Sequence, residues 1–383
     1  MSQARFVGRL LLINIGFYVA AYDTTTIESG RPKQLWRFNI TNALGDDVNN
    51  VRYRQIKQAN GRFRMIPMDQ NNRPLCNISL ATRDLVCLAR GSKLFALDAR
   101  TGEIVWIRHD VRAGGEIVGD EKTVCLFTEQ SNEVYAYSAI DGRELVNFKV
   151  PPEGQRIAVQ GTKMVTSEGN NAKQTIKIHD LATGKIAWSG DFAFNARASV
   201  VDSSYLAVFE QKGTLSVLSL NDGKLLFESM GYLHAEANVS EWQVVRDGDR
   251  LLVVVGRGFG NKPNTYVNGI NNGSFSSTPF TGYVYAFDIK SGKPLWDRKI
   301  EELSLLHNQP QRSPVFVLGS MVVSQENNGN VHRQATRVFA IDKRNGEVVC
   351  DERCDNGGGL ILHSTDSLIR NASICKPIRN SFN

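Results

Sequence analysis

Few residues in this 383-residue sequence have types and spacings that suit chemistry. Gly256, Arg257, Gly258, Phe259 and Gly260 have the composition of a phosphate-cradling loop. Such loops hand the anion to the N-terminus of a following helix. The next residues, NKPNTYVNGINNGSFSSTPFTG, read instead as a polar Gly/Asn/Ser loop without a helical period. His109 precedes Asp110 and His179 precedes Asp180, but neighbours on a strand point to opposite faces, which opposes a catalytic dyad. No G-x-S-x-G nucleophile turn occurs.

The six cysteines do not make a framework. Cys87 and Cys125 sit inside apolar strand patterns and read as small buried hydrophobes. Cys350 and Cys354 are spaced for a short disulfide or a metal, yet no His or second Cys pair stands at zinc spacing. The net charge of +6 is confined to the N-terminal part: residues 1–75 hold 11 Lys+Arg against 5 Asp+Glu, and the remainder is balanced at 34 each. Arg52, Arg54, Lys57, Arg62 and Arg64 fall within thirteen residues, either a solvated face or a patch for an anionic partner. A balanced remainder gives no reason to expect nucleic acid.

The elements that position these residues come from an internal repeat. YVYAFDIKSGKPLW sets Ala286, Asp288, Gly292 and Trp296 in a strand, tight turn, strand pattern. KLFALDARTGEIVW repeats it at Ala96, Asp98, Gly102 and Trp106. Degraded copies centre on Gly30, Gly142, Gly184, Gly223 and Gly346, which makes seven. Trp36 and Trp188 keep the last position, whereas Val146, Phe227 and Cys350 replace the Trp. The Asp suits a turn because it accepts nearby backbone N–H groups, and the Gly suits positive φ. Apolar Val, Tyr, Phe and Ile runs before each turn read as strands buried on both faces.

The Gly positions are 72, 40, 42, 39, 69 and 54 residues apart, and a period near 40 is that of a four-stranded propeller blade. Two further strands are expected before each hairpin: EWQVV and RLLVVVG before YVYAFD, and SPVFVLG and MVVSQ before RVFAID. The expected architecture is a single all-β propeller domain over 1–383 with seven or eight blades. Its first copy takes its missing inner strand from the C-terminal segment, closing the ring. The apolar run from Leu10 can be read as a secretion signal, but Asn14 and Gly16 interrupt it and it is too short to span a bilayer, so it is read as strand.

The long spacings localise insertions at 41–74, 256–281 and 325–335, which emerge on one face opposite the Gly turns. Binding residues are carried disproportionately on such loops. The candidate partner-binding residues are therefore Arg52, Arg54, Lys57, Arg62, Arg64, Arg257, Phe259, Tyr266, Phe275 and His332.

The A-x-D-x-x-x-G-x-x-x-W pattern closely resembles the tryptophan-docking repeat of pyrroloquinoline quinone (PQQ) type propellers. That resemblance covers roughly residues 9–355 and two branches: quinoprotein dehydrogenases, and the BamB outer-membrane assembly proteins with their non-catalytic relatives. It implies that Trp36, Trp106, Trp188 and Trp296 are clamped between adjacent blades. The alcohol dehydrogenases of the first branch carry vicinal cysteines, a calcium held by Glu, Asn and Asp, and an Asp base. This sequence has no adjacent cysteines and no acidic residue in a matching context, so no catalytic residue is carried over. The leading expectation is a non-catalytic scaffold that binds protein partners and needs no cofactor, with the periplasm or cell envelope as the compartment. The alternative is an oxidoreductase using PQQ with Ca²⁺, and a third reading is an anionic polymer on the basic stretch.

Overall fold

The computed structural model is almost entirely antiparallel strand. It describes residues 4–370 except 16–17, 26–32, 41–51, 58–62, 69–77, 91, 112–115, 129–131, 153–154, 171, 211–212, 230–238, 240, 259–279, 306–312, 326–330, 356–359 and 363–367. Two compact units contain them: residues 1–168 with 176–189, and residues 169–175 with 190–383.

Strands β1 (Ala4–Val7), β2 (Leu10–Ile15), β3 (Tyr18–Asp23) and β4 (Lys33–Asn39) form the first sheet in chain order. The N-terminal apolar run is thus strand, with Leu12, Ala20 and Ala21 buried. Strands β5 (Arg52–Lys57) and β6 (Phe63–Met68) form a separate two-stranded ribbon. The next sheets are β7 (Ile78–Ala81) to β10 (Ile104–Arg108) through β8 (Leu85–Arg90) and β9 (Lys93–Asp98), then β11 (Ile117–Gly119) to β14 (Glu144–Lys149) through β12 (Thr123–Phe127) and β13 (Glu133–Ser138). The fourth sheet joins β15 (Arg156–Gln160), β16 (Lys163–Gly169), β17 (Lys173–Asp180) and β18 (Lys185–Ala193), and the fifth joins β19 (Arg197–Val200), β20 (Tyr205–Glu210), β21 (Thr214–Ser219) and β22 (Leu225–Ser229). A seven-stranded sheet comes next: β23 (Glu241–Asp247), β24 (Arg250–Gly258), β25 (Phe280–Asp288), β26 (Pro294–Leu305), β27 (Val315–Gln325), β28 (Val331–Asp342) and β29 (Val348–Asp355). It holds the last two repeats, joined where Ser304 and Leu305 of β26 pair with Gly319 and Leu318 of β27. Strands β30 (Leu360–Leu362) and β31 (Leu368–Arg370) pair with one another. These are the four-stranded blades of a PQQ-like β-propeller, repeated at the period read from the glycines.

Three expectations need correction. The first sheet takes its opening strand from β1, paired with β2 from Ala4↔Ile13 to Val7↔Leu10, and not from the C-terminal segment. SPVFVLG and MVVSQ are one strand, β27, because its ladder with β28 continues from Val315↔Asp342 to Gln325↔Val331. The opening strand of that last repeat is the end of β26. Of the 325–335 insertion, residues 331–335 therefore belong to β28, and 326–330 lie outside the described residues.

The described glycine turns are locked by the same bond. The N–H of Gly102, Gly142, Gly184, Gly223, Gly292 and Gly346 donates to the carbonyl four residues earlier, at 2.8–3.0 Å. Where the repeat has Asp, its carboxylate accepts the following N–H groups: Asp98 from Arg100 and Thr101, both at 2.8 Å, and Asp288 from Ser291 at 2.8 Å.

The glycines do a second job. Trp36 lies flat against Gly102, Trp106 against Gly142 and Trp296 against Gly346, so close that an added Cβ would sit within 2.5–2.7 Å of the indole. Each indole N–H then donates to a turn carbonyl of the sheet it docks on: Trp36 to Ala99 at 2.9 Å, Trp106 to Ala139 at 2.9 Å, Trp296 to Lys343 at 3.1 Å. An indole buries roughly 150–250 Å², an upper estimate of ~4–6 kcal/mol per ring. Phe227 docks on Gly292 in the same way. At the copy where Val146 replaces the Trp, Phe148, two residues on, covers Gly184. Trp188 is half-buried on β18.

The residue before the docking position is a β-bulge in every hairpin whose register is described: Leu35, Val105, Leu145, Leu226, Leu295 and Val349 are skipped by the ladder. All are 37–48% exposed. A bulge twists a strand and spoils it as a template for another chain, which protects an edge carrying aliphatic side chains.

One repeat position changes character. Ala99, Ala139, Leu181, Leu220 and Ile289 are buried just after the first turn residue, and in the last repeat this residue is Lys343, 1% exposed. Its Nζ donates to Asp247 Oδ1 at 3.1 Å, and Arg250 lies 3.6 Å from the other Asp247 oxygen. Stripping a buried charge of its partner costs more than replacing the pair by apolar groups gains or loses. Asp247→Asn, which leaves the buried ammonium without its carboxylate, should thus lower the unfolding free energy by roughly 3 kcal/mol, while Lys343→Met, which leaves Asp247 its Arg250 contact, should cost clearly less. Urea unfolding reads both, and equal losses would contradict the assignment.

Candidate functional site

Two repeats lack the turn Asp, and the structure finds its substitute. Where Ser138 and Ser219 stand instead, Asp141 and Asp222, one residue before the Gly, accept from the Ser hydroxyl and from the N–H of Arg143 and Lys224 at 3.2 Å. The signal Ser-x-x-Asp-Gly was present in the sequence. The second of these turns borders an open groove of about 570 Å³ within the second unit. One wall is Ser204, Tyr205, Lys224, Leu225 and Leu226 of the fifth sheet; the other is Arg246, Asp249, Ile289 and Lys290 of the sixth.

The groove's charges are mostly fixed. Arg246 donates to Asp202 at 2.7 Å and to the Gly248 carbonyl at 2.9 Å, and its guanidinium lies 5.1 Å from the Tyr205 ring centre. The Asp202 bond raises the Arg246 pKa further. Lys290 sits 3.4 Å from Asp249, with both side chains well exposed. The arrangement offers apolar contact and charge of both signs, and its Ser219–Asp222 hydroxyl–carboxylate bond belongs to the turn. The fifth tryptophan, Trp242, which the repeat does not use, stacks on Phe209 with ring centres 5.1 Å apart. Its indole N–H is buried and has no acceptor among the described residues.

The sequence-predicted partner-binding residues meet a different fate. Arg52, Arg54 and Lys57 lie on β5 and Arg64 on β6, so the 41–74 insertion is a hairpin in part and not simply a loop. The register pairs Arg54 with Ile66 and Ile56 with Arg64, which puts Arg52, Arg54 and Arg64 at positions on one face of the ribbon and Lys57 at a position on the other. Arg257 is exposed on β24, opposite Thr281, and His332 is on β28 opposite Ser324. Arg62, Phe259, Tyr266 and Phe275 lie outside the described residues.

Residues 256–258 of the glycine-rich stretch are strand. Gly256 and Gly258 extend β24, and Gly256 is a glycine because the buried Phe280 ring lies across the place where a Cβ would stand. His179 contacts Thr166 Oγ1 at 3.0 Å, while Asp180 pairs with Lys163 at 2.7 Å, so the two neighbours serve separate structural bonds. Burial holds the His179 pKa down. Asp110 is likewise taken by Arg108 at 2.9 Å.

Burial pushes the thiols of Cys87 and Cys125 up to about 12, which removes them as nucleophiles. Cys350 and Cys354 share β29 four residues apart, ~13 Å along a strand, beyond the reach of a disulfide. Cys350 is buried. Among the described residues no three His, Cys, Asp or Glu side chains converge as metal ligands. The motif carboxylates of Asp98, Asp288 and Asp342 accept hydrogen bonds from turn N–H groups. No helix of the described residues is long and apolar enough to cross a membrane.

Residues 90–352 match the family model described as outer membrane protein assembly factor BamB. The chain belongs to that family. Among curated proteins no sequence matches. Similar solved structures include BamB from Moraxella catarrhalis, 15% identical over 94% of this chain and 88% of that one, with a TM-score of 0.41. Hsv2 of Kluyveromyces lactis is 9% identical over 87% and 97%, TM-score 0.41, and a europium-containing methanol dehydrogenase is 12% identical over 93% and 78%, TM-score 0.39. At such scores the structural likenesses add no argument to the BamB family match.

The turn carboxylates give this BamB-family chain a defined response to acid. Hydrogen bonds from the Ser291 side chain and N–H hold Asp288 below the ordinary 3.8, and the Arg344 guanidinium does the same for Asp342. At Asp98 burial pushes upward, but N–H bonds from Thr101 and Arg100 outweigh it. A depressed folded pKa adds stability above the unfolded value, which is lost as pH falls through the folded one. The urea midpoint should hold between pH 7 and 5 and fall below about pH 4. Asp288→Asn should lower it at neutral pH and flatten the acid limb; an unchanged limb would contradict this.

Proposed function

We propose that this chain is a non-catalytic BamB-type propeller that binds protein partners through the insertions at the sheet ends opposite the glycine turns. One observation carries the reading: the repeat's polar residues are consumed by turns and docking, and its variable additions all leave the sheets at those opposite ends. The connection between β4 and β7 holds the β5–β6 ribbon, residues 259–279 join β24 to β25, and β27 and β28 run on as a long hairpin. A rigid scaffold with elaborated connections is the usual arrangement for recognition.

The family's description names assembly of outer membrane proteins, and the reading takes its partners from that process. The cationic positions Arg52, Arg54 and Arg64 on one ribbon face favour acidic partner surfaces, by steering more than by raw affinity. Lys57, Arg62, Arg257, Phe259, Tyr266, Phe275 and His332 are the further proposed contacts of the insertions.

The test is co-purification from a cell-envelope extract with two variants. One replaces Arg52, Arg54, Lys57, Arg62 and Arg64 by Ala. The other exchanges 261–278 for a Gly/Ser linker, keeping the buried Phe280 in place. Each is expected to reduce partner recovery at least five-fold with the unfolding midpoint unchanged. Full recovery by both variants would overturn the proposal.

A further inference from the structure

The groove between the fifth and sixth sheets lies at their glycine-turn ends, away from the insertions. Leu225 is 50% exposed and Leu226 37% exposed, and both face the groove across from Ile289. Its acids are occupied: Asp222 accepts the Lys224 N–H and the Ser219 hydroxyl, Asp249 faces Lys290, and Asp202 behind the wall holds Arg246. Among the described residues no carboxylate forms an ion pair with the Lys224 ammonium, which acts on Asp222 only through its field, and it stands beside two exposed aliphatic side chains.

We propose that this groove binds a short extended peptide segment of a partner protein in which an acidic side chain stands beside aliphatic ones. The carboxylate meets Lys224, and the aliphatic side chains cover Leu225 and Leu226. Its volume, about 570 Å³, falls in the range of ligand clefts. The bulge defines the mode of binding. The ladder steps from Val217↔Phe227 to Leu218↔Leu225, so Leu226 is out of register and a full extra strand cannot run along β22. The ligand therefore lies in the groove as a few residues held by side chains, with Arg246 as a wall held in place by Asp202 and Tyr205.

The site can be tested without knowing the natural partner. A random heptapeptide library displayed on phage is selected on the full chain, with counterselection on the Lys224→Glu, Leu225→Ser double variant. Enriched peptides should share an Asp or Glu next to Leu, Ile or Val. Their synthetic forms should bind at least five-fold more weakly to Lys224→Glu and to Leu225→Ser alone, and as before to Lys224→Arg and to the 261–278 linker variant. Both substituted residues are exposed, and circular dichroism checks that the variants fold. No enrichment over the double variant, enrichment of basic peptides, or equal binding by Lys224→Glu would overturn the proposal.

Discussion

The structure depends on an aromatic ring of one sheet lying against a glycine of the next. Trp36 on Gly102, Trp106 on Gly142, Phe148 on Gly184, Phe227 on Gly292 and Trp296 on Gly346 are one contact repeated. It explains why the turn must be glycine twice over. The backbone there has φ between +68 and +74°, and the ring leaves no room for a Cβ. It also explains why the ring sits four residues after the turn glycine of its own hairpin in most copies: that is where the fourth strand, past its bulge, aims a side chain at the neighbouring turn.

A scaffold made this way spends its polar chemistry on itself. Asp98, Asp288 and Asp342 bond turn N–H groups, the indoles bond turn carbonyls, His179 bonds Thr166, and the central thiols are buried. What remains for recognition is whatever the repeat does not use: the connections at one end of the sheets, and the side chains left on the bulged outer strands at the other. Membership of the BamB family is consistent with that division.

The repeat made the fold legible from sequence, because Gly, Asp and Trp each have a local reason to stand where they do. Ala286 to Trp296 is enough to predict strand, turn and strand. Legibility failed where a job moved to another residue. Phe148 does the work of a Trp from two positions beyond its place, and Asp141 and Asp222 replace an Asp three positions ahead of them; each is visible only once the contact is known. Strand continuity misled in the last repeat, because Gly319 and Ser320 look like a turn between two short strands yet pair through as one. The groove could not be read at all, since its walls gather side chains scattered from Ser204 to Lys290, and the sequence pointed to the opposite ends of the sheets.

The most direct test of the central contact is a double-mutant cycle between Trp106→Ala and Gly142→Ala by urea unfolding. Each change alone should cost several kcal/mol, the first by loss of a buried ring and the second by positive φ and collision with it. Without the indole, the added methyl of Gly142→Ala meets no obstacle. The account therefore predicts a double variant at least ~1 kcal/mol more stable than the sum of the two losses. Strict additivity, as expected for two residues that do not touch, would contradict it.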